Sequence, residues 1–372
     1  MVGGIIVVLG MITMVMVHEG GHFLAAKAVD MKVTEFFFGF GPKLWSTTRG
    51  ETEYGIKAFP VGGYVRIVGM NPYEEVAPED MGRTYREKPF WAKSVVVLAG
   101  VFSHIVVAFL IYFFVFTAVG VETGEPTTEV AAVASTLDEA GTTPSPAAAA
   151  GIQNGDVILS LDGIATPSWD GLVGEISTRP GETVAVTVER DGEQVELTAV
   201  LAMREDGEGG VVGWLGVSPA GVVERVGPVT GLGDAGLAVG EAVDQSVRGM
   251  WQLFSNLGNL VTATVRGDQE TIDETRPLSV VGLGRLGAQT ERYGLGFTLE
   301  LVALINIFVA LFNVLPVYPL DGGHFAVALY QKVRGKEPDV RKLAPMAAAV
   351  VIFMILLGVF AIYLDIARPF NL

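Results

Sequence analysis

The chain has 372 residues, half of them hydrophobic and only 18% charged, with a formal net charge of −16. A mean hydropathy of +0.45 is unusual for a soluble domain and points to membrane embedding, while the acidic balance argues against a nucleic-acid partner. Without cysteine there are no disulfides and no thiolate-held metals, so a metal site here must be built from His, Asp or Glu.

Four apolar stretches, near 2–28, 94–120, 298–317 and 343–364, are long enough to cross a hydrocarbon core, which takes about 20 residues. The first, within a segment 1–29, lacks a basic leader and contains VMVHEGGHFLAAK, so it reads as a retained span rather than a signal peptide. Residues 30–93 form a β-rich loop. Its stretches KVTEFFFGFGPKLW and ETEYGIKAFPVGGYVRIVGM alternate apolar residues with glycines and aromatics, as hairpins lying at a membrane surface would. A polar connector over 70–93 carries Tyr85 and Trp91, which suit the interface, into a second span at 94–120.

Residues 121–215 change character. The segments VILSL, VAVTVER and VELTAV alternate like strands and are joined by Pro-Gly and Asp-Gly turns, which predicts a compact α+β unit. In the region 216–297, Leu237, Val243, Val247, Trp251, Phe254 and Leu257 fall near one helical face, facing either the outer leaflet or the external unit. A third span with a basic turn occupies 298–342, and a fourth span with the C-terminus occupies 343–372. Lysines such as Lys32, Lys43, Lys57, Lys88 and Lys93 lie in the first loop, and Lys332, Lys336 and Lys342 in the turn, whereas 121–297 has none. Basic flanks mark the cytoplasmic side, so the α+β unit and both termini are expected outside.

The chemistry-bearing motif is HEGGH. His18 and His22 stand four residues apart, roughly 40° around a helix, so both imidazoles can reach one ion; Glu19 is offset by roughly 100° and reaches a water beside it. Ionisable residues inside a span are costly and usually functional. Catalytic zinc takes three protein ligands and leaves a position for water. The candidates for the third are Asp321, His104, His324 and Glu300. Asp321 is favoured, because Pro316 and Pro319 must break the third helix just before it, and broken backbone at membrane depth belongs where it lines a cavity. The alternative is an N-cap for the helix that follows. His104 reads as a polar packing contact within the second span.

At these residues the chain resembles the site-2 protease family of intramembrane zinc metalloproteases, in the bacterial type that carries an external PDZ module. The resemblance rests on HEGGH, FGFGPKLW, FPVGGYVRIVGM, GRTYREKPFW, RPLSVVGLGRLG and NVLPVYPLDGGH. It implies a polytopic α-helical membrane protein of about four transmembrane helices, with a membrane-associated β-sheet and an extracytoplasmic α+β PDZ domain. It implies Zn2+ on His18, His22 and Asp321, Glu19 as general base, and Asn313 as a group that binds substrate or stabilises the oxyanion. The stretch Gly62, Gly63, Tyr64, Val65, Arg66 and Ile67 resembles the β-element that holds substrate as an added strand. The expected reaction is hydrolysis of a peptide bond within single-span membrane proteins of a bacterial cell membrane, anti-sigma factor-like proteins or remnant signal peptides. The active site is expected toward the cytoplasmic side. For the PDZ module two readings stand, capture of a new C-terminus and exclusion of bulky substrates. Two departures from the family pattern are visible: Gly100, Val101 and His104 stand where many relatives have G-P-x-x-N, and the prolines are spaced N-x-x-P-x-x-P before LDG. Rival classes are a soluble-facing HExxH peptidase anchored by spans, and a PDZ-bearing scaffold or metal transporter.

Overall fold

A computed structural model describes residues 2–71, 74–137, 143–205, 209–290, 294–336 and 339–369; Pro72 and Tyr73 of the expected connector lie outside these. The chain forms two compact units, Met1–Val119 with Val226–Leu372, and Gly120–Arg225. Among the described residues four helices are long and apolar enough to cross a membrane: Val2–Ala28, Phe90–Val119, Gly294–Val314 and Leu343–Ala367.

Helix α1 (Val2–Ala28) leads into β1 (Val33–Arg49) and β2 (Thr52–Ile67), which pair antiparallel. The register makes more of this pair than a plain hairpin. Glu35–Phe38 is opposed by Glu53–Ile56 on one side and by Gly63–Arg66 on the other, while Lys43–Arg49 folds back along Thr52–Lys57. The last turn of the ribbon, Gly63–Ile67, is thereby left at an edge of the sheet. Helix α2 (Phe90–Phe114) follows, and continues as a π-helical turn over Val115–Val119. Its buried residues Ala92, Val96, Gly100, His104 and Ala108 recur every four positions, the spacing of a single helix face.

The second unit contains β3 (Val121–Val133), α3 (Pro146–Ala150), β4 (Val157–Leu161), β5 (Ile164–Ala165), α4 (Trp169–Ser177), β6 (Thr183–Arg190), β7 (Glu193–Val200), β8 (Ala202–Glu205), β9 (Val211–Trp214) and β10 (Val217–Glu224). Its main sheet runs β10-β3-β4-β6-β7. The pairing of β10 with β3 carries the unit on to Arg225, beyond the expected end at 215. The Asp-Gly turn between β6 and β7 has φ of 54° at Asp191 and 83° at Gly192, the left-handed pair a type I′ hairpin needs. Inward-facing Ile158, Leu161, Val184, Val186 and Val188 meet Leu172 and Ile176 of α4 in one core.

The first unit resumes with α5 (Pro228–Arg266), α6 (Gln269–Thr275), α7 (Val280–Gln289), α8 (Gly294–Val314), α9 (Asp321–Arg334) and α10 (Val340–Ala367). On helix α5, Ala235 and Ala242, with Val239 and Val243 beside them, pack against Ala108 and Tyr112 of α2 and Ala303 and Ile307 of α8. Leu237, Val247, Trp251 and Phe254 point outward. Helices without a hydrophobic drive between them associate through small residues that let backbones approach. The same device recurs between α1 and α2, where a Cβ on Gly21 would stand 2.5 Å from the Ala99 carbonyl oxygen.

Candidate active site

The HEGGH turn lies in the C-terminal half of α1. The two rings meet edge to face with centroids 4.7 Å apart, and His22 Nε2 lies 3.1 Å from His18 Nε2. Asp321, the first residue of α9, brings Oδ2 to 3.3 Å from each of these nitrogens. Of the four third-ligand candidates, Asp321 is the one whose ligand atom groups with those of both histidines, all within 4.8 Å of one another. Its helix begins without a side-chain cap, so the N-cap alternative fails. The break before it is tight: a Cβ on Gly322 would stand 2.0 Å from the Val314 carbonyl oxygen, so the glycines of LDGG are required by close approach.

The chemistry of this donor set suits a cation. His22 Nδ1 lies 2.8 Å from the Val96 carbonyl oxygen, which can only accept, so a neutral ring carries its proton on Nδ1 and turns a bare lone pair inward at Nε2. That lone pair faces a second imidazole nitrogen and a carboxylate oxygen that has no hydrogen-bond partner among the described residues. Three acceptors so close repel one another unless a positive charge sits between them. Tetrahedral zinc with bonds of about 2.0–2.1 Å holds its ligand atoms roughly 3.3 Å apart, which matches the spacing found. Room for the two rings comes from α2, where a Cβ on Gly100 would stand 2.4 Å from His22 Nε2 and 2.8 Å from His18 Cε1.

Glu19 faces the sheet. Its Oε2 accepts a hydrogen bond from the Val65 N–H at 3.0 Å, and a Cβ on Gly63 would lie 3.6 Å from Glu19 Cγ. The edge Gly63–Ile67 therefore runs past the glutamate. Beside it opens a cavity of about 640 Å³ lined by Tyr64, Val65, Arg66 and Ile67 on one side and by Tyr318 and His324 on the other. The edge is stiffened by charge: Tyr64 donates to Glu35, and Arg66 bridges Glu35 at 3.1 Å and Glu74 at 2.8 Å. Burial, followed by the neighbouring Glu35, pushes the Tyr64 phenol above its ordinary pKa and keeps it a neutral donor. Gly62 precedes the edge with a φ of 99°.

The other sequence candidates are dispersed. His324 packs on Tyr318 with ring centroids 4.7 Å apart, and Glu300 lies elsewhere, beside Tyr112 and Glu241. Asn313 is half-buried near the end of α8, and the ion pairs and hydrogen bonds of the three donors do not include it. His104 does reach the site, with its ring centroid 4.9 Å from that of His18. Its partner Asn306, whose Oδ1 lies 2.6 Å from His104 Nδ1, escaped the sequence reading. The available signal was its cost: Asn306 is one of two amides in an apolar span, two helical turns before Asn313.

Peptidase family M50 matches residues 6–358. The chain belongs to this family, the site-2 proteases. As an M50 member it is a zinc metalloprotease, and its apolar helices mark it as a membrane protein. It is 31% identical to zinc metalloprotease Rip1 of Mycobacterium tuberculosis strain H37Rv, over 100% of this chain and 98% of the relative. A putative zinc metalloprotease of Nostoc sp. strain PCC 7120 is 31% identical over 94% of this chain and 92% of its own length. The chloroplastic membrane metalloprotease ARASP of Arabidopsis thaliana is 29% identical over 95% of this chain and 76% of its own length. Among solved structures, the PDZ domain of an SdrC-like protein from Listeria monocytogenes matches 25% of this chain and 88% of that domain, at 22% identity and a TM-score of 0.20.

Proposed function

We propose that this M50 protease cuts a peptide bond inside the transmembrane segment of a single-span membrane protein, with His18, His22 and Asp321 holding Zn2+ and Glu19 acting as general base. The observation that carries the reading is the position of Glu19, between the three donors and the edge of β2 that lines the cavity.

Zinc held there supplies Lewis acidity toward a water and a peptide carbonyl. The Glu19 carboxylate takes a proton from the attacking water and returns it to the leaving nitrogen. Asn313, by resemblance, donates to the oxyanion. A transmembrane helix must unwind before its backbone can be cut, and each freed polar group is costly in lipid. Pairing the unwound segment with the edge Gly63–Ile67 returns those hydrogen bonds, which is a reason for a sheet edge beside a membrane active site. Orientation follows from the basic flanks: the β1–β2 loop and the active site face the cytoplasm of a bacterial cell, and the unit Gly120–Arg225 lies outside. That unit, a PDZ-type domain by resemblance, excludes substrates whose external part is still bulky, since exclusion asks only for size and position. Anti-sigma factor-like proteins and remnant signal peptides are the substrates the resemblance suggests.

Zinc stoichiometry of wild type and Asp321→Ala, with cleavage of a single-span reporter by wild type and Glu19→Gln, tests the reading. The expected result is zinc lost in the first variant, and cleavage lost with zinc retained in the second. Stoichiometric zinc without any proteolysis would favour the transporter class instead.

A further inference from the structure

His22 is held from behind by its hydrogen bond to the Val96 carbonyl. His18 lacks such support: among the described residues its Nδ1 is buried without a hydrogen-bond partner. A second unpaired nitrogen lies close by. The His104 ring is tilted against that of His18, with centroids 4.9 Å apart, is 1% exposed, and has an Nε2 that is also buried and unpartnered among the described residues.

The bonds these rings do make fix which nitrogen carries a proton. Asn306 Nδ2 donates to the His104 carbonyl oxygen at 2.5 Å, so the amide must turn Oδ1 toward His104 Nδ1, 2.6 Å away. That oxygen only accepts, so His104 is protonated at Nδ1 and presents a lone pair at Nε2. His18 has the complementary need. Its Nε2 faces His22 and Asp321, and a neutral ring that binds a cation through Nε2 keeps its proton on Nδ1. One ring therefore holds a buried donor and its neighbour a buried acceptor.

We propose that His104 is the positioning residue for His18. Its Nε2 accepts a hydrogen bond from the His18 Nδ1–H, directly after a small ring rotation or through one water, and Asn306 locks the His104 tautomer. The proposal rests on the reading of His18 as a zinc ligand. Helix α2 thus acts on both ligand rings, through the Val96 carbonyl for His22 and through His104 for His18, with Gly100 leaving space between them. Such outer partners of a ligating histidine typically change metal affinity by about 10–100-fold.

The test uses the full-length protein in detergent, with zinc affinity measured by chelator competition and coordination followed by the absorption of the cobalt-substituted form. His104→Leu should weaken zinc binding by about 10–100-fold, and Asn306→Leu by a smaller factor. The double variant should be no weaker than His104→Leu alone, because the two act in series. His104→Gln, which keeps an acceptor, should recover part of the affinity. Melting temperatures of the metal-free variants should not follow that order, as they would if the pair served packing alone. The cobalt spectrum of His104→Leu should keep its ligand set. Zinc affinity within twofold of wild type in His104→Leu overturns the proposal, and so does a cobalt spectrum that has lost a nitrogen ligand. His18→Ala separates the two levels. If it leaves zinc affinity intact, the ligand reading itself fails; if it abolishes binding while His104→Leu stays within twofold of wild type, the positioning role alone falls.

Discussion

The Val65 N–H and the Glu19 carboxylate share a hydrogen bond of 3.0 Å that ties the helix bearing both histidines to the free edge of the sheet. The residue proposed to move protons is therefore also gripped by the strand proposed to receive substrate. A hydrogen bond to a charged group contributes about 1.5–3 kcal/mol, or roughly 10–100-fold in a rate that depends on it.

Val65→Pro removes that N–H and blocks strand addition at one point. Proline is tolerated on sheet edges, so the fold should survive. Reporter cleavage is expected to drop at least tenfold, on the order of the hydrogen-bond estimate, with zinc stoichiometry unchanged. Undiminished cleavage would exclude Val65 as part of the substrate edge.

Gly100→Ala places a methyl group where the two imidazole rings of the candidate site already stand, 2.4 Å from His22 Nε2. Overpacking of this kind typically costs about 1–3 kcal/mol. Because the rings are the nearest atoms, the strain should emerge as weaker metal binding, on the order of tenfold or more in a chelator titration. A variant that melts lower but binds zinc normally would show the α1–α2 contact yielding elsewhere.

Much of this site was readable in the sequence because its first half is local. His18, Glu19 and His22 lie within one helical turn, where spacing alone fixes geometry. Asp321 needed the proline break and a family resemblance, since nothing local ties it to a helix some 300 residues earlier. The sheet was visible as alternation, but not its edge, because only the register reveals that Glu35–Phe38 has partners on both sides. For helix α5 the sequence showed where the large apolar residues fall but not which alanines would be buried against α2 and α8, since that depends on the neighbouring helices. The pairing of His104 with Asn306 spans two helices, and no periodicity within either one announces it.

Asp365 is another residue whose role is purely tertiary. Its Oδ1 meets Arg276 Nη2 at 2.5 Å with both side chains 1% exposed, and its Oδ2 accepts from the Ser279 and Gly282 N–H groups that open α7. This gives RPLSVVG a physical task, fastening α10 to α7. Asp365→Ala strands a buried guanidinium and should cost about 3–5 kcal/mol in unfolding free energy. The double variant Arg276→Met with Asp365→Leu should regain most of it in the same denaturant titration. No recovery would mean that the backbone contacts of Asp365, rather than the ion pair, carry the loss.

In the unit Gly120–Arg225, Arg190 donates twice to Asp156, at 2.7 Å from Nε and 2.7 Å from Nη2, and this pairing holds the carboxyl below its ordinary pKa. A depressed native pKa contributes stability that is complete above the unfolded value, near 3.9, and is lost as pH falls through the native one. Wild type should therefore exceed Arg190→Gln in unfolding midpoint at neutral pH, and the two should converge as pH falls through the depressed native pKa of Asp156. Fluorescence of Trp169 and Trp214, with the remaining tryptophans replaced by phenylalanine, would follow this unit. A gap that persists unchanged at low pH would assign the effect of Arg190 to its contact with the Gly151 carbonyl instead.

The three donors are drawn from opposite ends of the polypeptide. On the ribosome, α1 emerges first, carrying an incomplete set of two imidazoles, and Asp321 follows about 300 residues later. At synthesis rates of about 5–20 residues per second, that interval is roughly 15–60 s. Until then the proposed zinc site lacks its third donor. On that reading the split between helices makes catalytic competence wait on synthesis through α9.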